Sequence, residues 1–293
     1  MATAMSRRVT NSATAATAQR RTLADAINGG RQLPSRIVLH GQGGIGKTSF
    51  AAFAPRPFFL LSPGETGLHT LADAGLVAGI PNIEVNDWSE LLDLINQLIE
   101  SDHDYKTVVL DTIDGFEKLA NQYVCNADFN GDWGEKGFMG YQRGYKVVAS
   151  GQWRMLLAAL DKLRTVRGVR PICLAHTGVG NIKNPEGPDY DRWLPDMYKD
   201  AWQLTSAWAD IVLFAQPVVE VVKEKGSRNN KGRSSGHRVL VTEWQASADA
   251  KNRHNLSPEI DMGQTGAEAW ANFVEDVKNS RNNAAEGNGS NGK

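Results

Sequence analysis

A chain of 293 residues is long enough for one large α/β domain with additions. With 41% hydrophobic and 22% charged residues it cannot be disordered throughout, and a formal net charge of -1 excludes an overall positive field that would draw the whole molecule onto nucleic acid or an anionic membrane. Its longest apolar runs, such as Phe58 to Leu61, fall far short of a membrane span, so no membrane partner is expected.

Residues 1 to 22 are rich in Ala, Thr and Ser and carry Arg7, Arg8, Arg20 and Arg21 without an acidic residue. This weakly imitates a transit peptide, but so little apolar surface predicts a disordered arm over residues 1–30. "SRIVLHG" (Ser35 to Gly41) is a β-rich run ending in glycine, and "KTSFAAFA" allows barely two helical turns before Pro55. "PFFLLS" (Pro57 to Ser62) predicts a second buried strand. Asp87 with Glu90 has capping-box spacing ahead of Leu91, Leu94, Ile95, Leu98 and Ile99, which predicts an amphipathic helix. "KTVVLD" (Lys106 to Asp111) predicts a third strand able to lie beside the first, followed by a helix over Ile113 to Cys125.

Asn126 to Gly144 has no clean period and is expected to be a long loop, before an amphipathic helix over Tyr145 to Val166. "VRPICLAH" (Val169 to His176) predicts a fourth strand, and Thr177 to Leu194 a second irregular stretch. Ala209 to Ala215, Val218 to Glu224 and Arg238 to Trp244 predict strands, the last two joined by a polar tip. Strands alternating with helices imply an α/β fold with a mainly parallel central sheet flanked by helices and an antiparallel C-terminal hairpin at its edge. The main domain is then 31–278, and the Asn-, Gly- and Ser-rich 279–293 a disordered tail. Cys125 and Cys173 lack partners at metal-ligand spacing and are expected to be reduced core thiols, as in a cytoplasmic protein.

Chemistry concentrates in "GQGGIGKT", which matches G-x-x-x-x-G-K-[ST] between a predicted strand and a predicted helix. Gly41, Gly43, Gly44 and Gly46, with Gln42 and Ile45 between them, let main-chain N–H groups converge on phosphates, and the helix opening at Lys47, Thr48 and Ser49 points its positive end at the anion. Lys47 suits the β- and γ-phosphates of ATP. Thr48 supplies a hydroxyl to Mg²⁺, with Asp111 as the second anchor, the alternative being an ordinary strand-end aspartate. Thr112 stands where many ATPases carry a glutamate directly after the Asp111-type residue, so the water-activating carboxylate must come from elsewhere. Glu65, past the second strand, stands at the sheet edge where ligands bind. His176 ends the fourth strand as a candidate sensor of the γ-phosphate, or a satisfied strand-end histidine. Lys251 and Arg253, in "KNR", are cations suited to transition-state charge, or a solvated turn.

Together "GQGGIGKTSFAAFAPRPFFLLSPGETG", "TVVLDTID", "ICLAH" and "ADAKNRHNL" resemble the RecA/RadA-like P-loop ATPases, most closely the compact phage-type members linked to recombination and single-strand annealing. The resemblance covers Ser35 to Asp261. It implies that Glu65 activates water, that His176 senses nucleotide and that Lys251 and Arg253 reach into a neighbouring subunit's site. Pro63 and Gly64 before Glu65, and His254 after "KNR", depart from the family pattern. The resemblance further implies self-assembly into a filament or ring, single-stranded DNA as partner with a single-strand DNA-binding protein as an optional further one, and a host-cytoplasmic location for a phage-encoded protein. Candidate DNA contacts are Trp133, Phe138, Tyr141, Arg143, Tyr145 and Lys146 in the first irregular stretch. Lys183, Tyr190, Arg192 and Trp193 lie in the second, and Lys223, Lys225, Arg228, Lys231, Arg233 and Arg238 on the hairpin. The expected activity is Mg²⁺-dependent, DNA-stimulated ATP hydrolysis. A small-molecule phosphotransferase and a nucleotide-dependent scaffold with little turnover are the alternatives.

Overall fold

Alternation of period two sorts the strand residues onto two apolar faces, and helices cover both. The structure is a computed structural model that describes residues 33–223 and 230–289. Its strands are β1 (Ile37–Gly41), β2 (Pro57–Leu61), β3 (Asn82–Glu84), β4 (Thr107–Asp111), β5 (Arg170–Ile182), β6 (Tyr190–Pro195), β7 (Ile211–Lys223), β8 (Asn230–Val241), β9 (Lys251–Asn252) and β10 (Glu259–Asp261). They form one sheet in the order β10-β8-β7-β1-β5-β4-β2-β3, with β6 paired to β5 and β9 to β7. The block from β7 to β3 is parallel, whereas β8, β10, β9 and β6 join antiparallel. The expected parallel sheet with an antiparallel edge is present.

The helices are α1 (Lys47–Ala52), α2 (Gly67–Asp73), α3 (Trp88–Glu100), α4 (Ile113–Asp128), α5 (Arg143–Val148), α6 (Arg154–Arg167), α7 (Lys199–Trp208) and α8 (Gly266–Gly289). Val38, Leu60, Val108, Leu110, Cys173 and Val212 pack with Trp88, Ile95, Phe116, Trp153 and Leu160 on one face of the sheet. Ile37, Leu39, Phe59, Leu61, Val109, Ile172 and Leu213 pack with Phe50, Trp270 and Phe273 on the other. With six residues, α1 is too short to hold itself together. Phe50, fully buried against Trp270 and Phe273 at 5.1 and 5.6 Å between ring centroids, anchors it at about 2–3 kcal/mol of apolar burial.

Several elements differ from the expectations. β4 is not beside β1, because β5 lies between them. The stretch Thr177 to Leu194 is not irregular: β5 runs on to Ile182 and pairs with β6 from Thr177↔Pro195 to Ile182↔Tyr190. The helix expected from Tyr145 starts at Arg143 and is interrupted by a π-turn at Ala149–Trp153. The strands expected at Ala209 to Ala215 and Val218 to Glu224 are one long β7 with a register shift between Pro217 and Val219. α8 continues through Asn279, where the sequence places the start of a disordered tail, to Gly289. The arm over 1–30, Lys225 and Arg228, and the side chains of Lys223, Lys231 and Arg233 lie outside the described residues. Cys125 and Cys173 are buried, and burial pushes the Cys173 thiol up to about 12. Among the described residues no helix is long and apolar enough to cross a membrane.

Candidate active site

Parallel register brings the strand ends to one edge. Gly41 pairs with both His176 and Ala215, Leu61 with Asp111, and Asp111 with Leu174. The loop from Gly41 to Gly46 crosses that edge and enters α1. Its last residue, Gly46, has φ 105°, and a Cβ there would lie 2.8 Å from Nη1 of Arg238, so conformation and space both demand glycine.

Lys47 is buried, and its Nζ donates to the carbonyls of Gly41 and Gln42 at 3.0 Å each. Burial lowers its pKa, opposed by Asp111, Asp114 and Glu65. The Thr48 hydroxyl donates to Oδ2 of Asp111 at 2.9 Å, although β5 lies between β1 and β4 in the sheet. Burial pushes the Asp111 carboxyl up to about 6, with Glu65 adding to burial and Thr48, Lys47 and His176 opposing it. Asp111 joins Thr112 through a cis peptide bond. The N–H of Thr112 donates to the Ser62 hydroxyl at 3.1 Å, a contact that leaves no room for a Cβ on Gly115, which would fall 2.1 Å from that hydroxyl.

Glu65 follows β2 in a turn closed by its own N–H donating to the Ser62 carbonyl at 3.1 Å. Its Oε1 lies 3.5 Å from the Thr112 hydroxyl and 3.8 Å from Nδ1 of His176. The structure therefore gathers Gly41 through Ser49, Glu65, Asp111 and His176 at one edge. One participant went unrecognised in the sequence. Asp114, buried in the first turn of α4, accepts the His176 main-chain N–H at 2.9 Å on Oδ1 and its Nδ1–H at 3.1 Å on Oδ2. Burial acts to raise the Asp114 pKa, but the His176 hydrogen bonds outweigh it and hold it below the usual value. The same side-chain bond raises that of His176.

Lys251 and Arg253 are not brought to this edge. β9 pairs with Ile211 and Val212, three to four residues before Ala215, which puts it about 10–13 Å down the sheet from the loop. Lys251 Nζ donates to the Ser206 and Ala207 carbonyls, and Arg253 to the Ala207 carbonyl at 3.2 Å while facing Asp210 at 3.5 Å. Arg238 is no outward DNA contact either: its guanidinium donates to the carbonyls of Ile45, Gly263 and Gln264 at 3.1 Å each. Phe138 is fully buried, and Arg143 is tied to the carbonyls of Lys136, Gly137 and Gly140. Arg192 is buried on the Gln245 and Ala248 carbonyls and pairs with Asp249 at 2.7 Å. Trp133 and Tyr145 pack against the core and Trp193 against Phe214. Tyr141, by contrast, is 92% exposed, and Lys183 is exposed while paired with Asp189.

Beside Gly46 and Ser49 opens a cavity of about 290 Å³ whose apolar walls are Phe53, Leu71, Leu76 and Met262. The oxygen-only pair of Thr48 and Asp111 fits a hard divalent cation whose remaining ligands are phosphate oxygens and water. Among the described residues no group of three or more His, Cys, Asp or Glu is placed to hold a metal by itself.

A glycine loop between β1 and α1, a lysine and threonine at its end, and a strand-end aspartate on a mainly parallel sheet define a P-loop nucleotide-binding domain. Residues 33–254 match the family model described as an AAA domain (AAA_24), and the chain belongs to that family. It is 29% identical over 93 residues to the SPbeta prophage-derived uncharacterized protein YorG of Bacillus subtilis (strain 168), a stretch covering 30% of this chain. The chain spans about a quarter of that relative's length, 26%. Among solved structures it is similar to the RadB recombinase, with 12% identity, 80% of this chain and 90% of that one covered and a TM-score of 0.43. The flagellar accessory protein FlaH of Methanocaldococcus jannaschii matches with 12% identity, 78% and 84% coverage and a TM-score of 0.36.

Proposed function

We propose that this chain is a Mg²⁺-dependent ATPase that binds single-stranded DNA and works as an oligomer in annealing or strand pairing. The observation that carries the chemistry is the 2.9 Å hydrogen bond from Thr48 to Asp111 beside Lys47, with Glu65 and His176 across the same edge. Lys47 exchanges its loop carbonyls for the β- and γ-phosphates when ATP binds. Thr48 and Asp111 would hold Mg²⁺, which would supply positive charge to offset that of the phosphates. Glu65 orients the attacking water, and His176 faces the γ-phosphate. The apolar cavity beside Ser49, with Leu71 and Met262 in its lining, suits the base.

For DNA, the reading rests on Tyr141, which presents its ring to solvent, and on the exposed Lys146 and Lys183. Lys251 and Arg253, occupied at the far end of the sheet, serve only a neighbouring copy's nucleotide. The test is phosphate release from ATP with and without single-stranded DNA at low salt, with electron microscopy of the same mixture. Stimulated hydrolysis and larger particles are expected. Unchanged rate and unchanged particle size would end the DNA and assembly parts of the reading, and absence of any release would end the ATPase itself.

A further inference from the structure

Asp114 does more than join α4 to β5. We propose that it is a positioning residue for hydrolysis, which fixes His176 by main chain and ring together so that Nε2 is presented to the γ-phosphate. This inference rests on the ATPase reading above.

A carboxylate only accepts, so contact with Asp114 Oδ2 at 3.1 Å requires the proton on Nδ1. The 2.9 Å bond from the His176 N–H to Oδ1 pins the Cα of the same residue, leaving the ring little freedom about χ1. Two bonds from one buried carboxylate thus set both where the imidazole stands and which way it faces. Nε2 has no hydrogen-bond partner among the described residues, and the ring is partly exposed at the site edge.

The neighbouring charges sharpen the consequence. Asp114 and Glu65 favour the imidazolium, while Lys47 and burial oppose it, and the balance raises the His176 pKa. In the imidazolium form, the Nε2–H of a ring held in this way is a strong, preoriented donor for charge that develops on the transferring phosphoryl group, where such donors have most effect. His176 also faces Glu65, with Nδ1 3.8 Å from Oε1. With Asp114 at 3.1 Å taking the Nδ1 proton, Glu65 remains available for water. In this arrangement Asp114 touches neither nucleotide nor water and acts through the histidine.

Asp114→Asn is the informative change, since it keeps the size and an acceptor for the main-chain N–H but removes the anion. Steady-state hydrolysis should lose about 100-fold in kcat with KM for ATP within about twofold. His176→Ala and the double variant should be no worse than either single, because residues acting as a unit are not additive. Additive losses, or a loss confined to KM, would overturn the proposal. Independently of turnover, ring-nitrogen NMR of the full chain, with the His176 resonance assigned by His176→Gln, should show Nδ1 protonated at neutral pH and a pKa above the ordinary histidine range. In Asp114→Asn that pKa should fall by about one unit or more. A wild-type ring protonated only on Nε2 at neutral pH, or a titration indifferent to Asp114→Asn, would overturn it even if the variant proved too unstable for kinetics. Failure of the wild type to hydrolyse ATP with the NMR signature present would instead fault the ATPase reading.

Discussion

Glu65 is placed by a turn rather than by a strand, and its carboxylate touches two side chains from different elements, Thr112 and His176. Such a residue contributes little to folding: it is partly exposed, and its closest contact is 3.5 Å. Its effect should therefore appear in turnover and not in stability. Glu65→Gln keeps the shape but cannot accept a proton from water. We expect kcat to drop by about 100-fold or more while ATP binding, measured by calorimetry, stays within a few fold. Retained turnover would move the base elsewhere and favour a site whose cycle does not use Glu65. Legibility at this scale followed distance along the chain. Gly41 to Ser49 declared itself because loop chemistry is local, with every participant inside nine consecutive positions. Asp114 and Arg238 did not, since their partners lie 62 and 193 positions away and no local pattern marks them.

Among the elements, strand and helix periodicity was readable wherever a segment has one apolar face. α3 shows this: Asp87 accepts the Glu90 N–H at 2.8 Å, and Leu91, Ile95 and Ile99 are buried as their spacing demands. The β5–β6 ribbon was missed because it leaves the sheet and buries little, so Gly178, Val179, Gly180 and Asn181 carry no alternation of apolar and polar residues. α8 was missed although its signal was present. Thr265 accepts the Glu268 N–H at 3.1 Å, a capping box in the sequence, ahead of the apolar spacing Trp270, Phe273, Val274 and Val277. α4 meets α7 through a buried acid. Buried Glu117 accepts the Tyr198 N–H at 3.2 and 3.0 Å at the start of α7, and burial, reinforced by Asp114 and Asp196, pushes its carboxyl up from 4.5 to about 7. The fold thus favours the protonated acid. The associated stability is fully present below pH 4.5 and is lost as pH rises through about 7, a difference of about 3 kcal/mol at most. Urea unfolding between pH 4.5 and 8 should show wild type losing stability relative to Glu117→Gln as pH rises. Parallel curves would mean that Glu117 ionises in the fold as freely as in the unfolded chain.

In the whole molecule, the two ends of the sheet carry different chemistry. The loop edge holds Lys47, Asp111, Glu65 and His176, and the other end holds Arg36, Arg164 and Arg253 around Asp210, with Lys251 close by. Three arginines converge on one carboxylate, and Arg253 is the most exposed of them, with half its side chain in solvent. That leaves it the cation best able to leave its partner for a phosphate on another molecule. A contact pairing one copy's far end with the next copy's loop edge would be head-to-tail, so it would build a ring or a filament and give each nucleotide residues from two chains. Two individually inactive variants should then repair one another. Glu65→Gln spoils a copy's own site but leaves its Arg253 intact, and Arg253→Ala does the reverse. In an equal mixture about one boundary in four joins an intact Glu65 to an intact Arg253, so about a quarter of wild-type hydrolysis should return. Phosphate release from the mixture, measured with single-stranded DNA present, decides the matter. Activity no greater than the sum of the separate variants would confine Arg253 to its own chain and leave His176 as the cation facing the γ-phosphate.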